Sequence, residues 1–387
     1  MSPDRALSPR ARALVARRPV FDAHVDSLQR QLDLEHDLGV RTEGHLDLVR
    51  GEQGGLGSMV FVNWVDPKYI AAELGGAKLR TRNLLREFHR LLAAHPERLA
   101  FAGNGRQLRE ARAAGKLAGI PGIEGGHSLE ESLDELVWFF ERGVRVLTLV
   151  WNNHLSWIRS CQSGAGPEAP EGLSEFGRDV VRTMNELGML IDLSHAGEKS
   201  FYDALETSAK PVIASHSGCK VLHGHQRNLT DEQLRALKRN GGVCGIVFCV
   251  PFLSAVGQQE DQRLRDSEGF KRLAGRNPTE LFLRQGEYLQ EKAEPLPIWV
   301  VVEHIEHVVE VAGIEHVGIG SDFDGILRTP QGLEDASCYG NLVEALFARG
   351  FDESEVLAIC GGNMERVFDA VTGPGTRAHG AELLAYD

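Results

Sequence analysis

The 387-residue chain has no Cys-x-x-Cys pair. Its six cysteines, at 161, 219, 244, 249, 338 and 360, are scattered. That pattern reads as reduced thiols rather than a disulfide frame. No stretch approaches a transmembrane span, and the basic N-terminal stretch has no apolar run long enough for a signal peptide. The polar C-terminus lacks the hydrophobic tail of a lipid-anchor signal. A cytoplasmic protein without a membrane partner is therefore expected. Positive charge is also short: 42 Lys and Arg stand against 55 Asp and Glu, a net charge of −13. This balance argues against nucleic acid or an anionic membrane surface as the main partner. There is no internal repeat, and no low-complexity tract beyond a Gly- and Pro-rich patch at Ser163–Gly172.

What remains is an ordinary globular composition, 42% apolar and 25% charged, with enough length for a large core. Short apolar runs recur along it, at 18–24, 57–64, 119–124, 144–151, 188–195, 211–216, 242–250 and 316–322. Loop residues and amphipathic stretches separate them. The clearest such stretch is Ser174–Leu187, with Phe176, Val180, Val181, Met184 and Leu187 at helical spacing. Buried parallel strands have this length and this Val, Ile and Leu content. Eight of them alternating with helices predict an α/β protein, a (β/α)8 TIM barrel forming one domain over residues 1–387. Residues 1–16 read as an N-terminal extension and 373–387 as a tail. Residues 251–297, between strands seven and eight, read as a rim insertion, helical from Pro278 to Lys292 and without the means to build a core of its own.

The first run ends in Asp22-Ala23-His24-Val25-Asp26. Residues two apart in an extended chain share a face, so His24 and Asp26 point into the same space. Alone, such a pair is a weak metal signal. The other runs strengthen it. Glu124 ends the third, His195 the fifth, His216 the sixth and Asp322 the eighth. In a barrel enzyme those ends form one rim, and the rim holds the active site. Alternation places His216 on a face with Ala214 and Val212, His195 with Leu193 and Ile191, and Glu124 with Gly122 and Ile120, companions expected to line the barrel interior.

Three histidines and two carboxylates are too many for one four-coordinate zinc. They suit two metals roughly 3.5–4 Å apart sharing an activated water. Glu124, alone on its strand and with two oxygens, is the natural bridge. His24 and Asp26 would hold one metal, and His195 and His216 the other. Asp322 stays off the metals to take a proton from the water and return it to a leaving amine.

At this point the chain resembles the membrane dipeptidase (renal dipeptidase) family of amidohydrolase-like barrels. The motifs are DAHVD at 22–26, GIEGGHSL at 122–129, DLSH at 192–195, SHSG at 215–218, RNLTD at 227–231, GSDFDG at 320–325 and GLEDAS at 332–337. The resemblance implies a binuclear zinc hydrolase of dipeptides, usually a homodimer, in which Glu124 bridges two Zn2+ and Asp322 is the acid/base. It implies that Arg227 grips the substrate carboxylate, a role suited to a guanidinium fork. One departure stands out. Trp151 falls where mammalian members carry a substrate-contacting histidine, with His154 three residues on as a substitute. Trp151 also keeps open a related amidohydrolase acting on N-acyl amino acids, lactams or small esters. A catalytically silent binding barrel ranks below both, because no ligand position is lost.

Other polar residues carry plainer expectations. His304 and His307 lie off the apolar face of their helix and are expected on a solvated face. His223 and His225 are loop polarity or pocket lining. Asp22 is a candidate orienting partner for His24, and Asp192 a structural carboxylate. Asp324 competes with Asp322, which is preferred because it leaves the strand first and matches the family position.

Overall fold

Nine parallel strands organise the chain: Val20–Val25 (β1), Leu56–Trp64 (β2), Leu99–Phe101 (β3), Leu117–Glu124 (β4), Val146–Thr148 (β5), Leu190–Asp192 (β6), Ile213–Ser217 (β7), Val243–Ile246 (β8) and Val317–Ile319 (β9). They are seen in a computed structural model that describes residues 7–162 and 166–373. Residues 1–6 of the expected N-terminal extension, 374–387 of the expected tail and 163–165 of the Gly- and Pro-rich patch lie outside the described residues.

The sheet runs β2-β1-β9-β8-β7-β6-β5-β4 and closes on itself where Ser58–Trp64 of β2 pairs with Ala118–Glu124 of β4. Eight strands thus form the expected α/β barrel. The ninth, β3, is only three residues long and lies beside the first half of β4, pairing Leu99 with Leu117 and Phe101 with Gly119. Its three residues, Leu-Ala-Phe, carry too little pattern to mark a strand. Among the described residues no helix is long and apolar enough to cross a membrane. All six cysteines are free thiols.

The surrounding helices start and stop where local chemistry dictates. Ser174 caps Glu175–Leu187 by accepting from the Gly177 N–H at 3.3 Å, and Gly188, at φ 79°, ends it. Such a cap contributes about 1 kcal/mol, and only glycine takes that left-handed turn without a Cβ penalty. Val180, Val181 and Met184 then face the strands.

Barrel filling corrects one expectation. The interior layer holds Val60, Val62, Ile120, Val146, Leu190 and Ile213, closed from below by Met364, Val367 and Phe368 of the helix Asn363–Thr372. Burying each such side chain is worth about 1.5–3 kcal/mol. Ile120 is inside, as read. Ile191, Leu193, Val212 and Ala214 instead pack in the outer layer between strands and helices. The alternation fails because the register shifts in β7 between Ala214 and Ser217, and because β6 has already ended before His195. A similar shift in β1 between Asp22 and Val25 puts His24 at the mouth although Ala23 packs inside. A bulge re-aims the side chains that follow it.

Residues 251–297 are more helical than expected. Val250–Leu253, Ala255–Arg265 and Glu268–Lys271 precede the expected helix Pro278–Lys292. The segment does build a small apolar cluster, with Leu264 and Leu289 against Leu327 and with Phe270, Phe282 and Tyr288 beside them. Asn277 Nδ2 donates to the Asp33 carbonyl at 3.0 Å, tying the segment to the helix Leu28–Leu34 just beyond β1.

His304 is a second correction. It is fully buried, not solvated. Its Nδ1 accepts from the Cys219 N–H at 2.8 Å and its Nε2–H donates to the Leu253 carbonyl at 3.2 Å. Those bonds satisfy a polar ring beside the apolar face. His307 is partly exposed and pairs with Asp231 at 2.8 Å. Burial pushes the His304 imidazole down to about 4, against about 6.5 unfolded. Between those values the unfolded chain binds more protons, so stability falls as pH drops through the window, by about 2 kcal/mol at pH 5. In His304→Gln this increment is absent, and denaturant melts at pH 8 and pH 5 should show the native-to-variant difference shrinking by that amount. A difference that stays constant with pH would contradict it.

Candidate metal centre

The strand ends gather the expected side chains at one buried mouth. His24 lies within β1 and Asp26 just after it, Glu124 is the last residue of β4, and His216 lies within β7. His195 and Asp322 sit three residues beyond β6 and β9, not at the strand termini themselves. Both take the left-handed backbone, at φ 67° and 63°. That conformation costs a non-glycine residue about 1–2 kcal/mol and persists only where surrounding structure enforces it. All six are at least nine-tenths buried.

Glu124 stands at the centre. Its Oε1 is 2.8 Å from His195 Nε2 and 3.4 Å from His216 Nε2, while its Oε2 is 3.5 Å from His24 Nε2. Asp26 Oδ2 lies 3.5 Å from the same His24 nitrogen. The ligand atoms of Glu124, His195 and His216 fall within 4.8 Å of one another, as do those of His24, Asp26 and Asp322 and those of His24, Asp192 and His216. In the third group the Asp192 carboxylate is already taken up by the Ser215 and Thr148 hydroxyls and two backbone N–H groups. The first two groups meet at the Glu124 carboxylate, one on each of its oxygens.

The donors fit cations. His24 Nε2 and Asp26 Oδ1 are buried with no hydrogen-bond partner among the described residues. His195 Nδ1 faces the Asn152 Oδ1 at 2.8 Å, and His24 and His216 turn their Nδ1 atoms to the Ser215 hydroxyl at 3.1 and 2.8 Å. Each ring thus presents Nε2 inward. His195 and His216 bring these nitrogens to 3.0 Å of each other, beside the same Glu124 oxygen. Imidazole nitrogens and carboxylate oxygens converging in one buried space make a donor set suited to metal ions.

Electrostatics point the same way. Burial, joined by the Asp26 and Glu124 charges and only partly opposed by His24 and Arg227, pushes the Asp322 carboxyl well above its ordinary range. Burial also raises Asp26. Burial and the Arg227 charge push His195 down to about 4, and burial with His24 and Arg227 holds His216 well below the usual imidazole value. His24 goes the other way: burial lowers it, but the Glu124 and Asp26 carboxylates outweigh that and hold its imidazole well above the usual value, so His24 supplies positive charge among the buried carboxyls that a bound cation would replace.

Around this centre the remaining predicted residues separate. Arg227 is buried, donates from Nη2 to the His216 carbonyl at 3.1 Å and keeps an Nε without a partner among the described residues. Trp151 packs against Trp64 at 5.1 Å between ring centroids and lies 6.2 Å from the His195 ring. Trp64 pairs in register with Glu124, so the two indoles wall the mouth above β2, β4 and β5. The His154 ring is tied to its own loop, with Nδ1 accepting from the Ser160 N–H at 3.1 Å. His225 stacks on Phe252 at 4.3 Å and its Nδ1 accepts from the Arg227 N–H.

Asp22 accepts from the His24 and Ser321 backbone N–H groups and from the Tyr339 hydroxyl, so it orients backbone rather than a ring. Asp324 is held by Arg30 at 2.8 Å and by Ser27 and the His45 N–H, away from the metal donors. Asp192, read as structural, lies inside the barrel beneath the histidines and accepts from the Ser215 hydroxyl at 2.6 Å. Asn152 and Ser215 were not singled out from the sequence. A signal for the second existed: both DLSH and IASH place a serine directly before a candidate metal-donor histidine.

Comparison with known proteins gives a consistent result. The family model described as membrane dipeptidase (peptidase family M19) matches residues 8–380. Dipeptidase 3 of Mus musculus is 33% identical over 377 residues, spanning 95% of this chain and 67% of that protein. The crystal structure of a metallopeptidase called dipeptidase AC superposes with a TM-score of 0.76 at 28% identity, covering 92% of this chain and 99% of that one. A metallopeptidase from Rhodobacter sphaeroides, solved with a phosphinate mimic of the dipeptide L-Ala-D-Ala, gives 0.75 at 26% identity over 91% and 99% of the two chains.

Proposed function

The chain belongs to the membrane dipeptidase family, peptidase family M19, as a metallo-dipeptidase, and on that premise we propose a two-zinc enzyme that hydrolyses dipeptides at the mouth of its barrel. The observation that carries this reading is the division of Glu124, with Oε1 toward His195 and His216 and Oε2 toward His24. His24 and Asp26 would hold one zinc, His195 and His216 the other, and Glu124 both. When bound, the pair supplies Lewis acidity at the scissile carbonyl and lowers the pKa of water between the ions.

The chain's own residues do the rest. Arg227 binds the substrate carboxylate, using the donors its bond to the His216 carbonyl leaves free. Its buried charge is costly without such a partner. Trp64 and Trp151 exclude water from the wall of the mouth beside His195. Asp322 holds a proton at its carboxyl and delivers it to the departing amine nitrogen. Residues 251–297 act as a rim insertion of a single-domain barrel. The same reading carries a homodimer in a reducing compartment. Light scattering would register the homodimer as twice the chain mass.

The test is a dipeptide panel, including D-residues at the C-terminal position, on zinc-loaded protein. The Rhodobacter relative with its L-Ala-D-Ala mimic motivates those members. Turnover of dipeptides is expected, and its absence on fully loaded protein overturns the reading. Arg227→Ala should raise KM for dipeptides about 100-fold with a smaller change in kcat, the scale of two charge-assisted hydrogen bonds. An unchanged KM would remove the carboxylate clamp. The indole wall favours a second reading, an N-acyl amino acid with its apolar acyl group against Trp151. Faster turnover of N-acyl amino acids than of dipeptides would select it.

A further inference from the structure

We propose that the Ser215 hydroxyl is a positioning group common to both metals, presenting one ligand histidine to each. The proposal rests on the two-zinc reading and goes beyond it by making the two half-sites depend on a single proton.

Ser215 is fully buried inside the barrel, directly beneath the ligands. Its Oγ lies 3.1 Å from His24 Nδ1 and 2.8 Å from His216 Nδ1. These two histidines belong to opposite sides of Glu124, and their rings are 3.8 Å apart between centroids. The same Oγ is 2.6 Å from Asp192 Oδ2, with Ser194 Oγ a weaker neighbour at 3.3 Å. A hydroxyl has one proton to give and two lone pairs to accept with.

Asp192 settles where that proton goes. Its Oδ1 already accepts the Ser194 and Ser215 backbone N–H groups, at 3.0 and 2.8 Å, and its Oδ2 takes the Thr148 hydroxyl at 2.5 Å. A carboxylate with that set of donors is an acceptor only, so the Ser215 proton points to it. Both Ser215 lone pairs then remain for the imidazoles. His24 and His216 must each carry hydrogen on Nδ1, which reserves both Nε2 atoms, the ones that face Glu124, for a metal ion. His195 obtains the same tautomer separately, from Asn152. One serine thus serves both half-sites and one asparagine serves a single half-site.

Removing the hydroxyl by Ser215→Ala frees both rings to turn or to change tautomer. Partners of this kind affect metal affinity by about 10–100-fold. Asp192→Asn acts on the same link. The two backbone N–H groups hold its amide oxygen on their side and turn its NH2 toward Ser215, where it occupies one lone pair. A single lone pair is then left for two imidazole N–H groups.

The experiment measures zinc binding by chelated, metal-free protein in competition with a chromophoric chelator. Native chain, Ser215→Ala, Asp192→Asn and Asn152→Ala are compared, with thermal midpoints of the metal-free forms as a check on folding. Ser215→Ala is expected to weaken both zinc sites about 10–100-fold, and Asn152→Ala only one. In 15N-histidine spectra of the metal-free protein, His24 and His216 should carry the proton on Nδ1, with one of them displaced in Asp192→Asn. A Ser215→Ala protein that folds and binds two zinc ions as tightly as the native chain, or is weakened at one site alone, overturns the proposal. A native chain that takes up only one zinc overturns the two-metal reading and this proposal with it.

Discussion

Glu124→Gln is expected to hold one metal per chain against the two proposed for the native protein, and to lose on the order of 10⁴-fold in kcat/KM. The change alters no volume and removes one ligand atom. In the native site each carboxylate oxygen has its own cluster, His195 and His216 at 2.8 and 3.4 Å on one side and His24 at 3.5 Å on the other. An amide offers a single acceptor oxygen, and its NH2 cannot ligate a cation. With the carbonyl toward the two-histidine side, the NH2 faces His24 Nε2 where the native side chain offers a ligand oxygen. The half-site of His24 and Asp26 is then lost, and with it the activated water and several kcal/mol of charge stabilisation. Metal analysis and steady-state kinetics on the same preparation check both parts. A Gln protein that keeps two metals would show that another group bridges them.

Asp322→Asn should leave both metals in place and lower kcat by about 10²–10⁴-fold, the usual contribution of a positioned acid/base. The backbone supports this substitution, because asparagine tolerates the left-handed φ of 63° at this position as aspartate does. The variant also decides between two roles that geometry leaves side by side. Asp322 lies within ligand range of His24 and Asp26, so it could bind metal. Loss of a metal in Asp322→Asn would make it a ligand. Two metals with full dipeptidase activity would remove it from proton transfer altogether.

The donor set was legible because a parallel barrel forces it into view. Interior strands leave few places for charge, so His24, Asp26, Glu124 and His216 stand out at the ends of apolar runs. What alternation could not show was how the chain leaves each strand. The register shifts in β1 and β7, and the left-handed turns at His195 and Asp322, re-aim exactly those side chains. Asn152 and Ser215 were hidden because their role is a hydrogen bond to a ring nitrogen, which follows from three-dimensional proximity and not from spacing. His304 misled for a related reason. Its position off the apolar stripe suggested solvent, whereas a backbone donor and a backbone acceptor from neighbouring segments make its burial tolerable. The small cluster of Leu264, Leu289 and Leu327 joins residues from two separate stretches and has no local signature.

The central claim is a two-metal centre built around Glu124. The most direct measurement is a titration of chelated protein with zinc, following dipeptide hydrolysis against equivalents added per chain. Activity that rises to a plateau at two equivalents is the predicted result. A plateau at one equivalent would contradict the account.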